Sequence, residues 1–111
     1  MLPGPAFWDA YMRNFSTWMR PNVTAVSLCM YEVAPDGSFR TQIHGSQTRI
    51  GSNQERWGVP RFRSAGVALV PLIDANYPGG GAAMRTMMAT NASRERFIQA
   101  AVAKLVAQRY A

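Results

Sequence analysis

Six acidic side chains set the limits of the chemistry this chain could do: Asp9, Glu32, Asp36, Glu55, Asp74 and Glu95. General acid–base work between carboxylates needs two of them held close together. None falls in a compact acidic run, so a carboxylate pair has to come from the fold. Cys29 is the single cysteine, which excludes an intrachain disulfide. It lies in the middle of an apolar run, where a thiol acts as a small hydrophobe, so a nucleophile pair with the single histidine, His44, is not favoured. The polar and aromatic residues that close apolar runs are the better candidates. Tyr31 and Glu32 close the first run, and Asp74, Asn76 and Tyr77 follow the second.

Those runs are strands. From Val23 to Phe39 no charge occurs before Glu32, and Pro35-Asp36-Gly37 ends the stretch as a turn. An uncharged run of this length reads as a strand covered on both faces, the mark of a parallel sheet flanked by helices. Strict alternation puts Ala25, Ser27, Cys29 and Tyr31 on one face and Leu28, Met30 and Glu32 on the other. Phe39 to Ile43 reads as a short return strand. Residues 66–74, Gly-Val-Ala-Leu-Val-Pro-Leu-Ile-Asp, give the second buried strand, with pairing expected to weaken after Val70 because Pro71 lacks an N–H.

Helices position these strands. Phe7, Trp8, Tyr11, Met12, Phe15, Trp18 and Met19 form an apolar stripe at helical spacing, stopped by Pro21. His44 to Trp57 has no period and reads as a loop. A short helix follows from Pro60 to Ala65, with Gly66 beyond its end. Ala82–Ala89 is helix-prone, and Asn91 or Ser93 offers an N-cap for a last helix with Phe97, Ile98, Ala101, Val102, Leu105 and Val106 along one face. No glycine cap and no closing turn follow it.

The chain has 111 residues and a net charge of +6, and reads as one domain, residues 1–111. Its eleven arginines are scattered from Arg13 to Arg109, so the charge reads as solvated surface rather than a nucleic-acid stripe. No apolar run is long enough to span a bilayer, so no membrane partner is expected. The glycines at 79–81 lack a following Lys-Ser/Thr and a spaced dinucleotide pattern, so no cofactor is expected. Sequons at Asn14, Asn22 and Asn91 exceed chance and fit glycosylation of a secreted or lysosomal protein, with Asn14 the weakest acceptor because it falls in a helix. No signal peptide is evident in the first residues.

Three stretches together resemble glycoside hydrolase family 18, the chitinase and chitobiase family. They are the first strand with Tyr31-Glu32-Val33-x-Pro35-Asp36-Gly37, the Gly66-to-Ile73 strand, and Arg94-Glu95-Arg96-Phe97-Ile98 with the amphipathic helix running to Arg109-Tyr110. The resemblance implies an α/β fold, part of a (β/α)₈ TIM barrel, with parallel strands about second and third in order and flanking helices. It implies hydrolysis of N-acetylglucosamine-containing, chitin-like glycans by the whole barrel. The family signature Asp-x-x-Asp-x-Asp-x-Glu, whose last residue is the general acid, is absent from these residues. The chain is therefore expected to be a fragment that precedes the catalytic strand and to hold no catalytic residue of its own. Strand C-terminal ends line the active site of such a barrel. Tyr31, Glu32, Asp74, Asn76 and Tyr77 are accordingly the substrate-binding candidates, with an oligosaccharide as partner and Tyr31 foremost as a ring that stacks on sugar. The alternatives are a non-catalytic, lectin-like barrel relative, or a small basic α/β domain that binds an acidic partner.

Overall fold

A computed structural model of the chain describes residues 4–41, 50–75 and 77–110. His44 and Asn76, the Ile43 end of the expected return strand and the side chain of Cys29 lie outside what is described. In chain order the elements are α1 (Pro5–Asn14), β1 (Ala25–Val33), β2 (Phe39–Thr41), α2 (Ile50–Asn53), α3 (Val59–Ser64), β3 (Ala68–Asp74), α4 (Gly80–Met88) and α5 (Asn91–Ala107). The fold is mixed α/β. Among the described residues the sheet has three strands in the order β2-β1-β3. β1 runs parallel to β3 and antiparallel to β2.

The expected loop from His44 to Trp57 is corrected over its described part. α2, a π-helical turn at Gln54–Gly58 and α3 follow one another without a break. Gly51, Ser52 and Asn53 are poor helix formers, which hid this segment. Tertiary contacts hold it instead: Ser52 shares a hydrogen bond of 2.9 Å with Thr41 on β2, and Val59 and Phe62 are buried.

α1 and α3 pack on one face of the β1–β3 pair. The core there joins Trp8, Phe15, Leu28, Phe62, Val67 and Leu69. Phe62 takes the edge-to-face contact of Phe15 at 5.2 Å and 89°, a geometry that adds to simple area burial. Beyond α1 the chain passes through a π-helical turn (Phe15–Met19) and a 3₁₀ turn that contains Pro21. Arg20 then fixes the helix end to the sheet by donating to the carbonyls of Val23, Ala65 and Gly66.

The opposite face is bare. Ala25, Ser27, Ala68, Val70 and Leu72 are exposed, and they lie in the register rows Ala25↔Ala68 and Ser27↔Val70, with Leu72 one step on. Coverage of both faces therefore holds only for the C-terminal half of β1, where Met30 to Ala34 are all buried. Pairing of β3 does not weaken at Pro71 but continues to Asp74. Among the described residues β3 is an edge strand, and an edge tolerates a residue without an N–H.

α4 and α5 form a helical hairpin beside β2 and the end of β1, with the Phe39 and Phe97 rings 6.2 Å apart. Thr90, rather than Asn91 or Ser93, caps α5, its hydroxyl accepting from Ser93 N at 3.1 Å. The Pro35–Gly37 turn docks on the same helix start. Gly37 has φ +88° and a Cβ there would meet the Ser93 carbonyl oxygen at 2.3 Å, so glycine is required for both reasons. At the other end α5 does close with a turn. Arg109 adopts a left-handed φ of 57°, and Tyr110 N and Arg109 N donate to Leu105 O and Val106 O, the Schellman pattern built without a glycine.

The three principal extents are 47, 31 and 21 Å, and the radius of gyration is 15.3 Å. A compact domain of this length has about 13 Å, so the chain is a slab with one apolar face open.

Candidate functional site at the C-terminal rim of the sheet

A β-bulge decides what the rim presents. The β1–β3 register shifts between Cys29 and Tyr31, so that Cys29 pairs with Leu72 and Tyr31 pairs with Ile73. One extra residue in a strand moves every later side chain to the other face. Alternation along β3 places Ala68, Val70, Leu72 and Asp74 together. Glu32, paired with Asp74, therefore joins the bare face, and Tyr31, paired with Ile73, joins the helix-covered one. This reverses the assignment that strict alternation gave to Tyr31 and Glu32.

On the bare face, Arg40, Glu32 and Asp74 form one row across three strands: Glu32 pairs with Arg40 on β2 and with Asp74 on β3. Arg40 Nε donates to Glu32 Oε1 at 2.8 Å. Glu32 has no exposed surface, whereas the Arg40 side chain is 45% exposed. Glu32 Oε2 is buried without a hydrogen-bond partner in the protein. Tyr77 closes the row from the β3–α4 connection: its hydroxyl donates to Val33 O at 2.5 Å, and its ring lies 5.9 Å from the Arg40 guanidinium carbon. Adjacent strands stand about 4.8 Å apart, so two carboxylates and one guanidinium share a small volume. Such a group can hold a ligand hydroxyl or amide between fixed donors and acceptors. Arg40, Asp74 and Tyr77 are the parts of it that reach solvent.

Three of the five sequence candidates thus come together, Glu32, Asp74 and Tyr77, and Asn76 lies outside the described residues. Tyr31 does not join them. Its side chain is fully buried, and its hydroxyl donates to Glu55 Oε2 at 2.6 Å and shares a 2.8 Å hydrogen bond with Tyr110. Lys104 completes that cluster through Glu55 at 3.2 Å. Burial, then the hydrogen bond to Glu55, pushes the Tyr31 phenol well above its ordinary range, and burial also raises Tyr110. The cluster ties β1 to the helical segment 50–64 and to the end of α5. A stacking role for Tyr31 on sugar does not suit that position. Arg40 was missed by the sequence reading, although its place two residues after a Pro-Asp-Gly turn and a serine makes it the hairpin partner of Glu32.

Asn14, Asn22 and Asn91 are all exposed. Among the described residues no group of three or more His, Cys, Asp or Glu side chains could hold a metal ion, and no helix is long and apolar enough to cross a membrane. Comparison with family models, curated proteins and solved structures returns no match.

Proposed function

We propose that this chain is the strand 2 to strand 3 portion of a family 18-like (β/α)₈ barrel that binds N-acetylglucosamine-containing glycans, and that the Arg40–Glu32–Asp74–Tyr77 row is its contribution to the glycan site. One observation carries the reading: helices cover one face of a parallel strand pair, the other face is apolar and bare, and the bare face ends in acids at the strand C-termini. In a barrel the bare face is the packed interior and the C-terminal rim is the active-site face. The exposed edge of β3 and the exposed stripe Ile98, Val102 and Val106 on α5 then have neighbours to receive them.

The catalytic acid is not among these residues, so their part is binding and orientation. Arg40 and Tyr77 offer a donor fork and an aromatic ring to the acetamido and hydroxyl groups of a sugar, with Glu32 holding the guanidinium in place. Glycosylation at the exposed sequons fits a secreted or lysosomal parent. The reading frame past Ala111 tests the proposal: it predicts an apolar strand within about five residues, ending in Asp-x-Asp-x-Glu, the rim position where a barrel carries its catalytic groups. An unrelated continuation overturns it.

A further inference from the structure

α5 carries apolar residues on two sides. Toward the fold, Ala101 is buried, the Phe97 ring meets Phe39 on β2, and Lys104 pairs with Glu55. On another side Ile98, Val102 and Val106 are 51%, 53% and 71% exposed. A surface helix ordinarily keeps one apolar stripe, turned to its core. At 3.6 residues per turn the three exposed residues fall within about 80° of arc, so they form a second stripe. At Ile98 this stripe runs into a groove of about 300 Å³ between α4 and α5, lined also by Met84, Met87, Met88 and Phe97. Methionines suit a surface that adapts to what lies on it.

The two ends of the stripe carry opposite charges. Glu95 and Arg109 are exposed, and among the described residues neither forms an ion pair. From Glu95 through Ile98, Val102 and Val106 to Arg109 the steps are three, four, four and three residues. The pattern reads the same in both directions, with Val102 at its centre. In a two-fold pair, residue i meets residue j and j meets i. An antiparallel helix pair with its axis at Val102 therefore sets Val102 against its own copy, Ile98 against Val106, and Glu95 against Arg109 at both ends. Arg109 stands two residues past the last residue of α5, and its long side chain extends over that distance.

We infer that α5 pairs antiparallel with α5 of a second copy, making the 111-residue chain a symmetric dimer. The matched ends single out that occupant. An adjoining helix of a longer chain would cover the same three apolar residues without any need for a palindromic spacing or for opposite charges at the two ends. Ala103 and Ala107, also exposed, flank the stripe and let the helix axes approach to about 8 Å. The Ile98–Val106 contact lays the end of the second copy's helix over the mouth of the methionine groove. Glu95 to Arg109 spans about 21 Å, a small contact beside standard interfaces of ~1,200–2,000 Å², so dissociation at micromolar concentration is expected.

Sedimentation equilibrium of the full chain tests this. Val70→Lys serves as the common background, because it charges the bare sheet face and leaves the α5 stripe as the contact being read. The background chain is expected to show a monomer–dimer equilibrium. Glu95→Arg or Arg109→Glu alone turns attraction into repulsion at two places per dimer, and each should weaken association about tenfold. The Glu95→Arg/Arg109→Glu double variant should recover the original affinity. An equimolar mixture of the two single variants should recover it as well, since both ends of the mixed dimer then pair opposite charges. Val102→Glu should abolish the dimer by placing two carboxylates at the axis. All four positions are exposed, so circular dichroism should show the fold unchanged. A monomeric background chain, association that ignores the single reversals, or no recovery in the double variant and the mixture overturns the inference. None of these results bears on the glycan rim, which shares no residue with the stripe.

Discussion

Glu32 and Asp74 stand side by side at the C-terminal ends of two parallel strands, on the sheet face opposite α1 and α3. The bulge after Cys29 puts them there by moving Glu32 off the helix-covered face. Arg40 is the counter-charge of the buried member.

Removing Arg40 leaves the Glu32 carboxylate buried without its partner. Arg40→Ala should cost about 2–3 kcal/mol, less than the ~3–5 kcal/mol for a fully buried pair because the guanidinium is partly solvated. Glu32→Gln should cost less than Arg40→Ala, and Glu32→Gln in the Arg40→Ala background should recover stability. Denaturant unfolding of the four proteins measures the coupling. Additive effects would contradict the pairing.

The Tyr31–Tyr110 cluster predicts a stability loss at high pH. Both phenols are raised above the ordinary value of 10.0, so above about pH 10 the unfolded chain releases protons that the folded chain keeps. Stability contributed by these groups is full below that pH and falls as pH rises past it. Thermal unfolding between pH 8 and 11 should show the decline, and Tyr31→Phe should flatten it. Tyr31→Phe at neutral pH should cost about 1–2 kcal/mol, since Glu55 loses a donor.

The turn after α5 strains Arg109, whose left-handed φ of 57° suits glycine. Arg109→Gly should raise stability by about 0.5–1 kcal/mol. A drop in the unfolding midpoint would show that the Arg109 side chain outweighs the backbone cost.

The open apolar surfaces predict self-association. Val70 and Leu72 on β3 and Val102 and Val106 on α5 are more than two-fifths exposed, and among the described residues β3 has an unpaired edge. Sedimentation should show the isolated chain as oligomers or aggregates at micromolar concentration. Val70→Lys with Val106→Lys should move it toward monomer with little change in stability, because neither side chain is buried. A wild-type chain that is monomeric with a sharp, reversible thermal transition would contradict this.

What the sequence revealed follows how local each signal is. The helical stripe from Phe7, the uncharged run of β1, the Pro35–Gly37 turn and the Phe97–Val106 face are patterns within single elements, and each is present. The stretch 50–58 was hidden because Gly51, Ser52 and Asn53 are weak helix formers, held in helix by Ser52–Thr41 and by the burial of Val59 and Phe62. The bulge leaves no residue mark, since Cys29, Met30 and Tyr31 are ordinary strand residues. Strict alternation therefore grouped Tyr31 with Ala25, Ser27 and Cys29 and Glu32 with Leu28 and Met30, the reverse of the faces they take. The Arg40–Glu32 pair and the Tyr31–Glu55 contact join separate elements, which no spacing rule reaches.

The central claim is that the rim row binds N-acetylglucosamine glycans, and an NMR titration of the ¹⁵N-labelled chain with N,N′-diacetylchitobiose tests it most directly, with maltose as the control lacking acetamido groups. The account predicts saturable shifts of the Arg40 Nε–H and of the backbone around Tyr77, none with maltose, and their loss in a folded Arg40→Ala variant. Unmoved resonances in a folded chain, or the same shifts with maltose, would contradict it.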